Sequence, residues 1–388
     1  MSNLKRILIF SLAYYPVEGG AEIAVKEITN RLPEFEFDLI TKRFDPVEEH
    51  GSHGAGNSHK SFERVGNVNV YRIESTKISY PLKAFLKANM LHKQRSYEAI
   101  WSIMAAHAGL AGLLFKLRFP RVKFVLTLQE GDSLGHIKRR MSFLRPVFKM
   151  IFRKADVVQA ISHFLADWGR SMGTREVVVI PNGVDVGKFQ SVKSSAFDKS
   201  STTPLSLFKE RGRGEVYLIT TSRLVEKNGV GDIIEALKFL PENVCLKILG
   251  TGPLEEVLKL KVKSLKLEHR VDFVGHVEYF DISKYLHKAD IFIRPSISEG
   301  FGNSFIEAMA AGLPVIATQV GGIPDFLEHD VTGLFCEPRN PESIAREVKR
   351  LVSDKLLRDK IISNALKMVQ DRYDWGLIAR EMSSEVFG

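Results

Sequence analysis

The sequence predicts an α/β protein that contains two parallel-sheet units in tandem. Short apolar runs alternate with helix-like segments along the chain, as in parallel strands joined by helical crossovers. A polar, serine-rich stretch at 191–204 interrupts this alternation, which then restarts. The chain of 388 residues is long enough for two domains. We therefore expect two Rossmann-like units with a cleft between them.

The first unit is predicted over residues 1–183. Its strand-like runs lie at 7–12, 37–41, 68–73, 100–104, 124–128, 157–161 and 177–180. Residues 44–67 are predicted to form a long irregular loop, because glycine and serine are frequent there. His50, His53 and His59 in this segment could bind a metal, but their irregular spacing favours a loop over a metal site.

A linker is predicted at 184–214 and the second unit at 215–371. The strand-like runs of the second unit lie at 216–220, 246–249, 271–274, 291–293 and 315–317. A C-terminal helix at about 372–388 is expected to pack back on the first unit.

Composition and charge exclude several classes of protein. With 44% hydrophobic and 26% charged residues, the chain is typical of a soluble globular protein, and no apolar run has the length of a membrane span. Cys245 and Cys336 are the only cysteines, so a disulfide framework is not expected and a reducing, cytoplasmic setting fits. The net charge of +9 arises in residues 1–183, where Lys and Arg exceed Asp and Glu by 10. This surplus favours an anionic partner.

The strongest functional signal is the segment 299–307, in which Glu299 and Glu307 bracket a glycine turn. The turn joins a strand-like run to a predicted helix at 304–311, which Asn303 or Ser304 could cap. Its residues are Gly300, Phe301 and Gly302. Their N–H groups and the helix dipole could form a phosphate seat, and each carboxylate could accept hydrogen bonds from a sugar attached to that phosphate. The structural alternative is a capped loop with two solvated glutamates.

Other candidates also follow predicted strands. Arg223 and Lys227 come after the run 216–220 and could hold a diphosphate, although an exposed loop with solvated charges is an alternative. Gly252, after the run 246–249, is expected to shape the wall of a pocket. Gly19 and Gly20 open the first helix, where the bare backbone could approach a ligand or form a plain tight turn.

A further group of polar residues follows two strands of the first unit. His107 comes at a predicted helix start after the run 100–104, and Gln129, Glu130 and Asp132 follow the run 124–128. Because the carboxyl ends of parallel strands meet at one edge of a sheet, these residues are expected on the same edge. A structural role as a cap or core residue is the alternative for His107.

Together these motifs resemble those of retaining glycosyltransferases of the GT-B fold, family 4. The matching segments, in order and spacing, are 181–185, 222–229, 249–253, 299–307, 321–325 and 332–335. The resemblance covers nearly the whole chain and implies an acceptor-binding domain at 1–183 and a nucleotide-sugar donor-binding domain at 215–371. The chain departs from the family at Gln129-Glu130-Gly131, where many members have His-Gly, and at Asn228, which lengthens the usual Lys-Gly.

The resemblance also implies a role for each matching residue. Arg223 and Lys227 would bind the donor diphosphate, Glu307 the ribose, and Glu299 the transferred sugar, with His107 close to that sugar. The other implied donor-binding residues are Gly19, Gly20, Gly252, Gly300, Phe301, Gly302 and Asn303, and the acceptor-side candidates are Gln129, Glu130 and Asp132. The implied reaction moves a hexose of the mannose, glucose or N-acetylglucosamine type from a nucleoside-diphosphate sugar to a lipid-linked or glycan acceptor, with retention.

No metal or other cofactor is expected. Fixed cations and a helix terminus can stabilise a leaving diphosphate, and the sequence has no Asp-x-Asp motif for a divalent ion. The residues alone leave open a carboxylate nucleophile or attack on the leaving-group face, and the resemblance implies the second. A nicotinamide dehydrogenase is disfavoured, because Gly-x-Gly-x-x-Gly is missing after the first strand. A sugar-nucleotide epimerase, a phosphorylase and a non-catalytic sugar-nucleotide-binding protein stay open, and no nucleic-acid partner is expected.

Residues 133–155 predict a peripheral contact with the inner face of the cytoplasmic membrane. They contain seven Lys and Arg and no acid, with apolar residues at three- and four-residue intervals, which is the pattern of a basic amphipathic helix. Arg139, Arg140, Arg145 and Lys149 are expected to face anionic lipid. The alternative is a crossover helix whose apolar stripe packs on the sheet.

Overall fold

The computed structural model describes residues 4–17, 19–43, 60–131, 135, 145–190 and 214–388. The chain divides into two compact units, one made of Met1–Gly183 with Trp375–Gly388 and the other of Val184–Asp374. Each unit contains a largely parallel sheet with helical crossovers. This architecture confirms the predicted α/β fold class.

The first unit is built on a sheet with eight described strands. They are β1 (Lys5–Phe10), β2 (Phe35–Lys42), β3 (Phe62–Val65), β4 (Val68–Ile73), β5 (Ala99–Ile103), β6 (Lys123–Leu128), β7 (Val157–Ala160) and β8 (Val177–Val179). Their spatial order is β3-β4-β2-β1-β5-β6-β7-β8, and only the β3–β4 pair is antiparallel among the described strands. The helices are α1 (Gly20–Asn30), α2 (Tyr80–Arg95), α3 (His107–Arg118), α4 (Arg145–Lys154) and α5 (His163–Ser171).

The second unit has a sheet of six described strands, all parallel. They are β9 (Val216–Thr221), β10 (Val244–Leu249), β11 (Val271–Gly275), β12 (Ile291–Arg294), β13 (Val315–Thr318) and β14 (Leu334–Cys336), in the order β11-β10-β9-β12-β13-β14. The helices are α6 (Val186–Gln190), α7 (Val230–Ala236), α8 (Glu255–Ser264), α9 (Ile282–Leu286), α10 (Asn303–Ala310), α11 (Pro341–Ser353) and α12 (Lys355–Arg372). A proline and a side-chain cap fix the start of α11. This helix begins at Pro341, and the side chain of Asn340 accepts a hydrogen bond from the N–H of Ser343 at 3.0 Å.

The C-terminal segment belongs to the first unit. It consists of α13 (Trp375–Glu381) and a π-helical turn at Met382–Phe387. The ring of Phe387 lies 5.7, 6.3 and 5.2 Å, between ring centroids, from Phe35, Phe37 and Trp101. The segment therefore completes the hydrophobic core on which β1 and β2 also pack.

Three elements differ from the sequence-based expectation. Strand β3 lies inside the predicted irregular loop and forms a hairpin with β4 through the two-residue turn Gly66-Asn67. The three-residue strand β14 was too short to be predicted. Helix α6 lies in the predicted linker but belongs to the second unit. Residues 191–213 of that linker, and His50, His53 and His59, lie outside the described residues.

Strand order determines where ligands can bind. In the second sheet, β9, β10 and β11 extend in one direction and β12, β13 and β14 extend in the other. The order therefore reverses between β9 and β12. The first sheet reverses in the same way between β1 and β5. Open α/β sheets bind ligands at the carboxyl ends of the strands at such switch points. The loops at 222–229 and 295–302 of the second unit, and the segments 11–17 and 104–106 of the first unit, therefore occupy the binding positions of the two units.

Candidate functional site

The loop after β9 holds the two predicted cations. Arg223 is exposed. Lys227 is half-buried and belongs to a single 3₁₀ turn at Glu226–Asn228. Asn228 is buried, and its side-chain N–H donates to the carbonyl oxygen of Arg223 at 2.7 Å. The extra residue relative to the family pattern therefore braces the loop from within.

This loop is joined to the glycine segment after β12. The backbone N–H of Ile297 donates to the carbonyl oxygen of Lys227 at 2.6 Å. The cationic loop and the turn that contains Glu299 are therefore fixed next to each other at the switch point. The structure thus brings together the two groups of residues that the sequence predicts on separate strands.

The turn itself enters helix α10 without a side-chain cap. The helix begins at Asn303, and its N-cap is Gly302, which adopts a left-handed conformation with φ of 100°. The prediction that Asn303 or Ser304 caps this helix is wrong, because the cap position falls on a glycine and Ser304 instead accepts a hydrogen bond from Arg294 at 2.6 Å. The phenyl ring of Phe301 is buried between Phe326 and Tyr373, so its backbone amide is the group that can meet a ligand.

Glu299 is paired with a buried arginine. The guanidinium of Arg294, at the end of β12, donates to the carboxylate of Glu299, and burial lowers the pKa of Arg294 to about 10. Sequence reasoning missed this partner, although an arginine at the end of an apolar strand is a signal because a buried cation needs a counter-charge. One carboxylate oxygen of Glu299 accepts from Arg294 and the other accepts from the N–H of Gly300 at 3.2 Å. Glu299 is therefore not a solvated glutamate, and its contact with a sugar stays a prediction.

The backbone of Glu299 is fixed by a second glycine pair. The N–H of Gly322 donates to the carbonyl oxygen of Glu299 at 3.1 Å. Gly321 has φ of 56°, and a β-carbon at this position would collide with the same carbonyl oxygen. The segment 321–325 therefore positions Glu299, and position 321 requires glycine because of its φ and this close approach.

Glu307 is the most perturbed carboxylate among the described residues. It lies in α10 and is 7% exposed. Burial raises the pKa of Glu307 to about 7, and the charges of Lys188 and then Arg294 oppose this shift. A carboxylate with such a pKa is common at functional sites, where burial and nearby charges are combined.

Lys188 is a functional candidate that sequence reasoning missed. It lies in α6, inside the predicted linker, and its ammonium nitrogen is 4.4 Å from the ring centroid of Tyr279 and 4.1 Å from that of Phe280. These cation–π contacts hold the charge near Glu307. Nothing in the pattern of the sequence marks this lysine, because its partners come from segments about 90 and 120 positions later in the chain.

The raised pKa of Glu307 leads to a pH-dependent prediction. The folded pKa of about 7 lies above the ordinary value of 4.5. The folded state therefore binds more protons than the unfolded state between these values, and stability falls as pH rises through this window. We expect Glu307→Gln to raise the Tm by several degrees relative to wild type at about pH 8, and by much less at about pH 5.

Thermal unfolding at both pH values measures this effect. Glu268→Gln is the control, because Glu268 is an exposed glutamate of the same unit. An equal change in Tm at both pH values for Glu307→Gln would show that the carboxylate does not titrate in this window.

Gly252 lies against the loop that carries Arg223. The N–H of Leu224 donates to the carbonyl oxygen of Thr251 at 2.9 Å, and that of Leu254 to the carbonyl oxygen of Leu224 at 3.1 Å. Helix α8 begins at Glu255, after this segment. The segment 250–254 thus supports the cationic loop, and direct contact of Gly252 with a ligand stays a prediction.

The first unit places its own candidates at its switch point. Gly19 is the N-cap of α1, Gly20 is the first residue of that helix, and His107 is the first residue of α3. The Oε1 atom of Glu130 accepts a hydrogen bond from the N–H of Ala105 at 2.7 Å, and so fixes the turn that leads into His107.

The acceptor-side candidates therefore have structural partners. Besides Glu130, Gln129 accepts a hydrogen bond from the side chain of Asn182 at 3.3 Å. Asp132 lies outside the described residues. A role for these residues toward an acceptor stays a prediction.

The predicted membrane-facing helix packs its apolar stripe inside the first unit. Phe148, Ile151 and Phe152 of α4 are buried, and both phenylalanines pack against the ring of Trp168. The apolar stripe of α4 is therefore part of the core of the first unit, as in the crossover-helix alternative, and a contact of the cations of this segment with anionic lipid stays a prediction. Lys149 is half-buried, and Arg139, Arg140 and the side chain of Arg145 lie outside the described residues.

The described residues were found to contain neither a candidate metal site nor a candidate membrane span. No group of three or more His, Cys, Asp or Glu there could hold a metal ion. No helix within the same ranges is long and apolar enough to cross a membrane.

Fold and site together define a class of protein. Two Rossmann-like units, a cationic loop and a glycine turn flanked by two acids are the features of a GT-B glycosyltransferase. The family model for glycosyl transferases group 1 matches residues 207–368, and that for glycosyltransferase family 4 matches residues 18–188. The chain belongs to this glycosyltransferase family.

Individual relatives agree with this assignment. The chain is 30% identical over 271 residues to the N-acetyl-alpha-D-glucosaminyl L-malate synthase of Bacillus anthracis, covering 69% of this chain and 68% of that protein. It is 25% identical to the GDP-mannose-dependent alpha-(1-6)-phosphatidylinositol monomannoside mannosyltransferase of Mycobacterium tuberculosis, covering 99% of both chains.

A solved structure shows the same fold. Sucrose-phosphate synthase from Thermosynechococcus elongatus superimposes with a TM-score of 0.79 at 21% identity, covering 98% of this chain and 97% of that one. Anabaena HepE in complex with UDP-glucose gives 0.78 at 22% identity, covering 98% and 99%.

Proposed function

We propose that this glycosyltransferase is a retaining hexosyltransferase, which moves a hexose of the mannose, glucose or N-acetylglucosamine type from a nucleoside-diphosphate sugar to a lipid-linked or glycan acceptor. The observation that carries the proposal is the junction of the loop of Arg223 and Lys227 with the turn of Glu299 at the β9/β12 switch point. It combines two cations, an uncapped helix start and two carboxylates, which is what a sugar diphosphate requires.

The donor is proposed to lie across this junction. Arg223 and Lys227 contact the diphosphate, which faces the start of α10, and Glu307 accepts hydrogen bonds from the ribose diol. Glu299 and the amides of Phe301 and Gly302 contact the hexose. The structure of HepE with UDP-glucose supports a donor of this chemical class, since that protein has the same fold.

The first unit is proposed to bind the acceptor. His107 is assigned to the transferred sugar by resemblance to the family, and the Gly19-Gly20 turn is assigned to the donor. Gln129 and Glu130, where the chain departs from the family, are assigned to the acceptor side because they follow β6 at the same edge of the sheet. Relatives named as colanic acid and teichuronic acid biosynthesis glycosyltransferases support a role in cell-envelope polysaccharide or glycolipid synthesis. We place the enzyme in the cytoplasm, at the inner face of the membrane.

The proposed mechanism needs only groups of this chain and the two substrates. The bond between C1 of the hexose and the β-phosphate oxygen breaks, and its electrons stay on that oxygen, where Arg223, Lys227 and the helix start stabilise the charge. The acceptor hydroxyl oxygen then bonds to C1 on the same face. Its proton passes to the leaving phosphate.

An assay of nucleoside diphosphate release tests the proposal. Nucleotide sugars are first screened by thermal shift, because a true donor stabilises the protein according to its affinity. Release is then measured with and without glycan and lipid-linked acceptors. We expect acceptor-dependent release that EDTA changes by no more than a few-fold, since protein cations take the place of a metal.

Each rival function gives a different result in this assay. A sugar-nucleotide epimerase converts the donor without acceptor, a phosphorylase requires inorganic phosphate, and a non-catalytic sensor shows a thermal shift without turnover. Complete loss of release with EDTA, restored by magnesium or manganese, would contradict the metal-free mechanism.

A further inference from the structure

The guanidinium of Arg294 lies at the centre of the candidate site of the second unit. Arg294 ends β12 and is 8% exposed. Its Nη1 atom donates to the hydroxyl oxygen of Ser304 at 2.6 Å and, over a longer distance of 3.5 Å, to the carbonyl oxygen of Thr221. Its Nε atom donates to the hydroxyl oxygen of Ser296 at 3.2 Å, and its Nη2 atom donates to the carboxylate of Glu299. One side chain therefore joins β9, the loop after β12, the glycine turn and the first turn of α10.

The same cation also lies beside Glu307. Ser304, which accepts from Arg294, precedes Glu307 by three positions in α10. Because residues three apart are neighbours on a helix surface, the cation is held on the face of α10 that carries Glu307. The ring of Phe305 adds a contact, with its centroid 4.7 Å from the guanidinium carbon. Burial raises the pKa of Glu307, and the charge of Arg294 is one of the two that oppose this shift.

The elements packed against α10 determine which other charges face Glu307. Helix α6 supplies Lys188, which is the second opposing charge. Strand β13 contains no ionisable residue. Helix α12 also packs against α10, and its buried residues are apolar: Ile361, Ala365 and Val369. The two cations that face Glu307 within the described ranges are therefore Lys188 and Arg294, and Arg294 is paired with Glu299 as well.

We propose that Arg294 is a positioning residue for the transfer reaction, which holds Glu299 toward the hexose and keeps Glu307 charged toward the ribose. The planar guanidinium presents its N–H groups in a rigid fork, so that one cation can fix several acceptors at once. The contacts of Arg294 given above are all with the protein, so it acts through the two carboxylates. This inference rests on the proposed function, which assigns Glu299 to the hexose and Glu307 to the ribose.

Arg294→Lys tests the rigid fork, because lysine keeps a positive charge and removes the planar group. We expect kcat to fall by about 10²-fold, since a catalytic contact that is misplaced by about 1 Å can cost this much. The affinity for free UDP or GDP should stay within about threefold of wild type, because a charge remains beside Glu307. Calorimetry with UDP and with GDP gives the affinities, and steady-state kinetics at saturating donor give kcat. A kcat within threefold of wild type would overturn the proposal.

A double-mutant cycle tests whether Arg294 acts through Glu299. Arg294→Met and Glu299→Ala should each lower kcat by about 10²-fold or more, and the two together should lower it no further than Glu299→Ala alone. The double variant should also have a higher Tm than Glu299→Ala, because it leaves no buried guanidinium without its counter-charge. Losses of kcat that multiply in the double variant would overturn the proposal.

A comparison without ligand tests the effect on Glu307. Loss of the charge of Arg294 should raise the pKa of Glu307 further, so the folded state should lose more stability as pH rises. The gain in Tm that Glu307→Gln gives at about pH 8, relative to about pH 5, should therefore be larger by a few degrees in Arg294→Met than in wild type. An equal gain in both backgrounds would overturn the coupling to Glu307.

Arg270→Met is the matched control for a buried arginine. Arg270 is 3% exposed and donates to the carbonyl oxygens of Val244 and Pro241 at 2.9 and 2.8 Å. It directly precedes β11, so it lies at the amino ends of the strands, away from the switch-point loops. This variant should lower the Tm and leave kcat and the pH-dependent gain of Glu307→Gln as in wild type. Equal losses of kcat in Arg270→Met and Arg294→Met would overturn a specific role of Arg294.

Failure of the proposed function would give a different result. A wild-type chain that binds neither UDP nor GDP and releases no nucleoside diphosphate would contradict that function, and with it the positioning of Glu299 toward a hexose. The ligand-free comparison would still show whether Arg294 keeps Glu307 charged. An active wild type with fully active Arg294 variants would overturn this inference alone and leave the proposed function intact.

Discussion

Replacing Arg223 and Lys227 by alanine together is expected to lower turnover by about three orders of magnitude or more. Removing one preorganised group that stabilises transition-state charge costs about 10²–10³-fold, and these two are proposed to hold the same leaving diphosphate. The loop should keep its shape, because the side chain of Asn228 bonds to the backbone of Arg223 and that backbone is unchanged.

Steady-state kinetics with the donor found by thermal shift measure this loss. The control removes two exposed lysines of the same unit, Lys263→Ala with Lys349→Ala, and should retain wild-type turnover. Turnover within tenfold of wild type in the Arg223 and Lys227 double variant would mean that the charge on the leaving group is stabilised elsewhere.

The second large effect is a division of labour between the two carboxylates. Glu307→Gln should weaken the binding of the free nucleoside diphosphate by about tenfold. A carboxylate has two oxygens that can accept from both ribose hydroxyls, whereas the amide of glutamine has only one. Glu299→Gln should leave the affinity of the free diphosphate within about threefold and lower kcat by about 10²-fold or more, because its proposed contact is with the transferred hexose.

Glutamine is the informative replacement at both positions. At Glu299 it keeps an acceptor for the buried guanidinium of Arg294, whereas alanine would leave that cation without its counter-charge. Calorimetry with the free diphosphate gives the affinities, and kinetics give kcat. Equal losses of affinity in both variants would contradict the division.

The succession of strands and helices along the chain could be predicted from the sequence, because parallel strands that are buried on both faces are short apolar runs between helical segments. The hairpin of β3 was missed although Gly66-Asn67 is a two-residue turn signal, because β3 itself is half exposed and carries few apolar residues. The spatial order of the strands was not readable, since no local pattern specifies which strands are neighbours.

The same holds for the site, because local sequence patterns do not specify which residues become neighbours in space. Glu299, Glu307, Arg223 and Lys227 were found because each follows a predicted strand or turn. Their partners were not found: Lys188 approaches Glu307 only through tertiary packing.

The exposure of an amphipathic helix is a third feature that local patterns do not specify. Amphipathic patterns at 133–155 and in α2 both show an apolar stripe beside cations, but a pattern does not reveal which stripe the rest of the unit covers. Only burial in the folded unit distinguishes Phe152, which is buried, from Leu86, which is exposed.

The most direct test of the central claim is the anomeric configuration of the first product, followed by proton NMR during turnover with the identified donor. We expect the new glycosidic bond to have the same configuration as the bond between hexose and phosphate in the donor, with one nucleoside diphosphate released for each bond formed. A product of opposite configuration, or consumption of the donor that does not depend on an acceptor, would contradict that claim.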